Sequence, residues 1–189
     1  MRNASHNIRD LTLDERLTDL DFSKERLHES AQIFYLSTHG IFAATGYNAC
    51  LNKDDWYPSK TGIGNRNTVV AVFDTCYLID SGRNWRNIWA QAKFGNALRL
   101  MLGFDNLVAI DRGHAVRGFA FADNLLNGDT FVDAWFKAVA STTPKPYNKA
   151  IAIGIGDDPQ DAINVVTTAS LSNIPGRRTG SATFFGLKP

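Results

Sequence analysis

The sequence is poor in cysteine, has no long apolar run and carries no excess of either charge. Its two cysteines, Cys50 and Cys76, can form at most one disulfide, which excludes the scaffold of small disulfide-rich secreted domains. No apolar stretch approaches the roughly 18 residues of a membrane span, and residues 1–16 are too polar for a secretory signal. We therefore expect a cytoplasmic protein.

The balance of charge also limits the kinds of partner. The 20 basic and 19 acidic side chains leave a formal charge of +1, so no overall field favours nucleic acid or an anionic membrane. With 44% hydrophobic residues in 189, the chain is long enough to bury a core. We expect one domain over residues 1–189, with a core at about 32–156 and peripheral segments at 1–31 and 170–189.

Two continuous apolar runs, Ile33–Leu36 and Val69–Phe73, predict strands that are covered on both faces. The stretch between them is rich in turn residues and predicts at most a hairpin around residues 42–51. Further strands are predicted at 98–104, where Leu98 and Leu100 begin an alternating face, and at 150–156. Residues 106–110 extend or rival the former, and the tail from 174 to 189 is expected to be loose.

Helical spacing of apolar residues follows the second strand and recurs later in the chain. A helix is expected around residues 85–92, and another begins near Val116, Phe119 and Ala120 and ends at Gly128. Thr130 and Asp133 form a capping pair for a third helix. Its predicted buried stripe consists of Val132, Trp135, Phe136 and Val139. A last helix is predicted at 161–169.

This order of strands and helices predicts an α/β fold with a mostly parallel sheet flanked by helices. In such sheets, ligands bind at the carboxyl ends of the strands. His39 follows the first apolar strand and Cys76 follows the second. If these strands are parallel neighbours about 4.8 Å apart, the imidazole and the thiol share one edge, where a histidine can activate a cysteine.

Neither residue is persuasive alone, because single cysteines and histidines are more often structural than catalytic. The two together, each at the end of an apolar strand, favour chemistry. Gly40, after the histidine, allows close approach of a substrate, and the backbone N–H groups of Gly40 and Cys76 are candidate oxyanion donors.

The stretches "IFYLSTHG" and "VVAVFDTC" resemble the two catalytic strands of the caspase-like cysteine peptidases of clan CD. This group includes caspases, metacaspases, separases, gingipains and bacterial CHAT-domain proteins. Downstream, "GFAFADNLLNGDTFVDAWFKAVAS" is similar to a CHAT-type pair of helices, so the resemblance covers about residues 32–156. It implies a three-layer α/β/α sandwich and a protein or peptide substrate. His39 would be the general base and acid, Cys76 the nucleophile, and Gly40 with Cys76 the oxyanion donors.

Asp74 stands two residues before the cysteine, as in the Asp-Ser-Cys motif of metacaspases. The resemblance implies a place in the substrate pocket, where a carboxylate selects Arg or Lys before the scissile bond. The alternative is that Asp74 orders the strand end through local backbone bonds. Asp80 and Asp105 are further pocket candidates.

The sequence departs from the named subfamilies in three places. The caspase signature Gln-Ala-Cys-x-Gly is absent, and "CYLIDSG" lacks the His-Ser-Gly that follows the metacaspase cysteine. Only about 32 residues precede the histidine strand, where these folds open with a strand and a helix. We therefore expect an N-terminally truncated sheet or a fragment, with an activating or completing protein partner. The rival hypothesis is a non-catalytic caspase-like module that binds a partner.

No cofactor or metal is predicted. His114, Asp111 and Cys50 lack the spacing of zinc ligands. "GIGDDP" has no third glycine at the dinucleotide spacing, and "GIGNRN" is better interpreted as a turn.

Overall fold

A computed structural model provides the fold. It describes residues 27–38, 40–43, 46–50, 55–56, 62–76, 79, 94–105, 108, 113–143 and 149–189. The predicted helix around residues 85–92 lies outside this part of the chain, which opens with a short 3-10 helix at Leu27–Glu29.

The main sheet has five strands in the order β1-β5-β6-β7-β8. Their bounds are β1 Ile33–Ser37, β5 Val70–Asp74, β6 Leu100–Phe104, β7 Ala150–Gly156 and β8 Thr183–Leu187. Strand β5 is buried along its whole length, whereas β1, at one end of this order, is largely half-buried. The four predicted strands are thus confirmed, although β1 is not covered as completely as its apolar run suggested.

The sheet is mixed, and this corrects the expectation of a mostly parallel one. Strand β5 is parallel to both β1 and β6, but β7 is antiparallel to β6 and β8 is antiparallel to β7. An apolar run records burial on both faces and carries no information about strand direction. The segment predicted to be a loose tail supplies β8, whose half-buried Phe184 and Phe185 pack on opposite sides of the sheet.

A second, three-stranded antiparallel sheet follows β1 in the chain. It consists of β2 Gly40–Ala43, β3 Gly46–Cys50 and β4 Asp55–Trp56. The hairpin predicted around residues 42–51 is therefore confirmed, and a third strand adds to it. The chain then reaches β5 through the predicted turn, where Gly62 and Gly64 adopt positive φ values of 71° and 78°.

Three helices complete the described architecture: α1 Gly113–Leu126, α2 Phe131–Thr142 and α3 Pro159–Thr168. All three contribute to one core cluster, on the face of the sheet that carries Val70, Leu100 and Leu102. A second cluster, with Phe73, Met101 and Ile153, occupies the other face. The architecture is thus α/β, with a five-stranded mixed sheet and helices packed on it.

Helix α2 follows the sequence prediction closely. Thr130 caps it by accepting a hydrogen bond from the Asp133 N–H, and Val132, Trp135 and Val139 are buried, with Phe136 partly so. The indole N–H of Trp135 donates to the Gly103 carbonyl oxygen at 3.1 Å.

The predicted face was wrong for Leu98, and helix α1 exposes two of the apolar residues that predicted it. Helix α1 buries Arg117, Phe121 and Leu125, whereas Val116 and Phe119 are 55% and 72% exposed. Leu98 precedes β6 and packs with the second cluster, away from Leu100.

The glycines of β7 allow α3 to pack directly on the sheet. A Cβ atom at Gly154 would lie 2.1 Å from the Ala162 carbonyl oxygen, and one at Gly156 would lie 2.3 Å from the Ala162 nitrogen. The "GIG" of this strand therefore serves close helix packing. Helix α3 begins two residues earlier than predicted because Asp158 caps it and Pro159 fits the first turn.

Candidate functional site

The candidate site lies at the edge of the main sheet where β1, β5 and β6 end. Strands β1 and β5 are parallel neighbours, and Ser37 faces Asp74 in their register. The Thr38 N–H donates to the Asp74 carbonyl oxygen at 3.4 Å, so the two chains stay paired as the strands finish. The predicted adjacency of the two strands is confirmed. His39, the next residue after Thr38, lies outside the described residues.

Cys76, two residues after β5, is buried against Val108, four residues after β6. The side chain is a free thiol with 6% of its surface exposed. Its sulfur lies 3.3 Å from both the backbone nitrogen and the carbonyl oxygen of Val108. Val108 therefore offers the sulfur one donor and one acceptor, and it covers the thiol at this edge.

Gly40 opens the small sheet and does not extend the large one. It is the first residue of β2 and faces Ala49 of β3 in the antiparallel register. The chain thus changes sheets within two residues of Thr38. The assignment of Gly40 and Cys76 as oxyanion donors stays a prediction.

Asp74 is fully buried in an internal ion pair that the sequence analysis missed. Arg117 of α1, 1% exposed, donates from Nη1 to Asp74 Oδ1. On the other side, the Tyr35 hydroxyl donates to Asp74 Oδ2 at 2.8 Å. Burial, followed by the charge of Asp74 and this hydrogen bond, raises the pKa of Tyr35 far above its ordinary value, so the phenol stays protonated.

The same arginine reaches two further elements. Its Nε donates to the Thr143 hydroxyl oxygen at 3.1 Å, just beyond the end of α2. Its guanidinium carbon lies 5.1 Å from the ring centroid of Phe104, the last residue of β6. A single arginine within the otherwise apolar stretch "AVRGFAFA" was the sequence signal that could have identified it.

The ion pair changes what Asp74 can do chemically. Both carboxylate oxygens already accept bonds from the chain's own side chains. A role in selecting Arg or Lys stays a prediction, and it requires the substrate cation to share this carboxylate with Arg117. The observed contacts are closest to the alternative interpretation, an aspartate that orders the strand end, although its partners are distant side chains.

Of the other two pocket candidates, Asp105 lies at the same edge, directly after β6. Its N–H donates to the Lys149 carbonyl oxygen at 2.8 Å, and its carboxylate pairs with Lys188. Asp80 lies outside the described residues. Both described candidates thus have a cationic partner within the chain.

The described part of the chain shows neither a metal cluster nor a membrane-spanning helix. Among these residues, no group of three or more His, Cys, Asp or Glu side chains is placed to hold a metal ion. In the same residues, no helix has both the length and the apolar character needed to cross a membrane.

The fold and the edge define an α/β protein with a mixed five-stranded sheet and a buried thiol beside two parallel strand ends. Comparison with protein families places residues 14–174 in a domain family of unknown function, DUF6345. The chain belongs to this family, and the matched range includes residues 14–31, which the sequence analysis treated as peripheral. No curated protein and no solved structure matches the chain.

Proposed function

We propose that this chain is a caspase-like cysteine peptidase in which Cys76 is the nucleophile and His39 is the general base and acid. The supporting observation is the register of β1 and β5. Ser37 faces Asp74, and His39 and Cys76 each stand two residues beyond this facing pair. Because both residues lie two positions beyond a facing pair of parallel, adjacent strands, this register favours a place for both at the same edge of the sheet. A cysteine–histidine dyad requires such a shared edge.

The proposed reaction is acyl transfer to sulfur. His39 takes the thiol proton, and the Cys76 sulfur attacks the carbonyl carbon of a peptide bond. The C–N bond breaks as His39 returns the proton to the departing amine. Water then hydrolyses the thioester, releasing the new carboxyl group and restoring the thiol. Backbone N–H groups of Gly40 and Cys76 would stabilise the tetrahedral oxyanion.

The finer fold assignment is part of the same proposal. The described helices cover one face of the main sheet, and a caspase-like α/β/α sandwich needs a helical layer on the other face as well. The apolar spacing at residues 85–92 predicts a helix for that layer. We also place the protein in the cytoplasm, where a reducing environment preserves a free thiol such as Cys76.

The closed thiol supports an activation step before catalysis. Cys76 is 6% exposed and lies against Val108, so a peptide carbonyl reaches the sulfur only if Val108 moves away from it. A protein partner that binds this edge, or the substrate itself, would supply the energy of that movement. Cleavage after Arg or Lys is a subsidiary part of the proposal.

The test is covalent capture by peptides that carry an acyloxymethyl ketone, with Arg, Lys, Ala or Asp next to the reactive group. Peptide mapping by mass spectrometry should find the adduct on Cys76. The label should disappear in Cys76→Ala and His39→Ala, and it should persist in Cys50→Ser, the matched control for the second thiol. Absence of a Cys76 adduct with all four peptides, or an unchanged rate in His39→Ala, would reject the proposal.

A non-catalytic, partner-binding role is the second candidate function. It is favoured by the exposed apolar side chains of α1, where Val116, Phe119 and Leu126 are 55%, 72% and 68% exposed. Residues spaced in this way lie on one helix face, and such a patch favours protein contact. A protein that binds wild type and Cys76→Ala equally, but not Phe119→Asp, would favour this function over catalysis.

A further inference from the structure

Arg117 contacts the last residues of two adjacent strands. Its Nη1 donates to Asp74, which ends β5, and its guanidinium carbon lies 5.1 Å from the ring centroid of Phe104, which ends β6. A third contact, from Nε to Thr143, fixes the guanidinium against the segment after α2. Because it is 1% exposed, Arg117 makes these contacts without competition from water.

The two residues that form the thiol contact follow these two strands: Cys76 comes after β5, and Val108 comes after β6. Cys76 follows Asp74 by two residues, Val108 follows Phe104 by four, and the sulfur lies 3.3 Å from the Val108 backbone. The thiol contact therefore lies only two and four residues beyond the strand ends that Arg117 contacts.

We propose that Arg117 is the positioning residue of this edge. By joining the ends of β5 and β6, it fixes the loop that carries Cys76 against the loop that carries Val108. It thereby controls the access to the thiol and the direction in which the sulfur faces. The consequence for catalysis rests on the proposed peptidase function, whereas the consequence for thiol access does not.

The planar fork of arginine is what this role needs. Arg117 bonds Asp74 and Thr143 through different nitrogens while its face lies near the Phe104 ring. A lysine ammonium is a single point charge that cannot reproduce this set of contacts. Arg117→Lys therefore keeps a cation for Asp74 but loosens the connection among the three elements.

Arg99 provides a matched control at the opposite edge of the sheet. It is also buried, at 5% exposure, and it donates to both carboxylate oxygens of Asp161 at 2.7 Å and to the Ile155 carbonyl oxygen at 2.9 Å. It directly precedes β6, whose five residues separate it from the Cys76 edge by roughly 16 Å. Arg99→Lys thus disturbs a comparable arginine without touching the thiol loops.

The experiment measures two rates in a Cys50→Ser background, at a temperature well below the unfolding midpoints of both variants. The first is alkylation of Cys76 by iodoacetamide, followed by mass spectrometry. The second is hydrolysis of a peptide substrate, with kcat and KM determined separately. In Arg117→Lys, alkylation should be about tenfold faster because local opening is easier. Its kcat should be about tenfold lower, with KM little changed, because the sulfur is misplaced.

Arg99→Lys should leave both rates within about twofold of the background chain, since its edge does not position the thiol. Equal effects in the two arginine variants, or an Arg117→Lys chain with both rates unchanged, would overturn the positioning role. A third outcome separates the two proposals. If the background chain hydrolyses no peptide, and alkylation of Cys76 is faster in Arg117→Lys but not in Arg99→Lys, the positioning role stands and the peptidase proposal fails.

Discussion

Replacing Arg117 by methionine tests whether the buried ion pair is a major source of stability. Methionine keeps much of the side-chain volume but removes the Arg117 cation from the fully buried Asp74 carboxylate. Removing one partner of a buried pair typically costs about 3–5 kcal/mol, because the other charge stays desolvated. In a chain of this size, the loss corresponds to a fall of about 6–20 °C in Tm.

The free energy of unfolding should be measured by urea titration and checked by calorimetry. Lys137→Met is the matched control, because Lys137 pairs with Asp129 at 2.8 Å but is 60% exposed. A surface pair of this kind contributes about 0–1 kcal/mol. The double variant Asp74→Asn with Arg117→Met removes both charges and keeps an acceptor for Tyr35, so it should regain a substantial part of the loss.

Two outcomes would refute this reasoning. A loss in Arg117→Met no larger than that in Lys137→Met would show that the buried pair contributes little. A double variant no more stable than Arg117→Met would show that the buried Asp74 charge is not the cause of the loss.

Two further predictions concern α3 and its surroundings. Backbone hydrogen bonds, first from Thr179, lower the pKa of Asp157. These bonds therefore stabilise the fold above the unfolded pKa of about 3.9, and the contribution is lost as pH falls through the lower folded pKa. Asp157→Asn should be less stable than the wild-type chain at pH 7 and should lose less stability than wild type on acidification. Urea titrations of both chains at pH 7, 4 and 3 measure this. Equal losses of unfolding free energy in the two chains on acidification would contradict the prediction. Gly154→Ala should destabilise the fold by about 3 kcal/mol or more, because the new Cβ meets the Ala162 backbone at 2.1 Å. The control is Gly176→Ala, where nothing lies within 4 Å of the new Cβ atom, and it should change the free energy of unfolding by less than about 1 kcal/mol. Similar losses of stability in the two variants would contradict the role of Gly154 in close helix packing.

The apolar side chains of α1 show where a sequence pattern stops being informative. Val116 and Phe119 predicted a helix that does form, although it begins three residues earlier, at Gly113. Both side chains are exposed, and the buried face carries Arg117. Periodicity identifies a helix because side chains recur every 3.6 residues, but it does not state which face meets the core. An arginine is buried only where a partner such as Asp74 compensates its charge, and that partner lies 43 residues away in the chain.

The sequence by itself determined the local elements of this protein: the apolar strands, the Thr130 cap of α2, the turn at Gly62 and Gly64, and the polar residues at the ends of β1 and β5. These features depend on backbone propensity and on neighbours a few residues apart. Only the tertiary structure decided the antiparallel direction of β7, the recruitment of the tail as β8, and the pairing of Asp74 with Arg117. Strand direction and charge pairing depend on partners that are distant in sequence, and no local pattern records which partner the folded chain brings near.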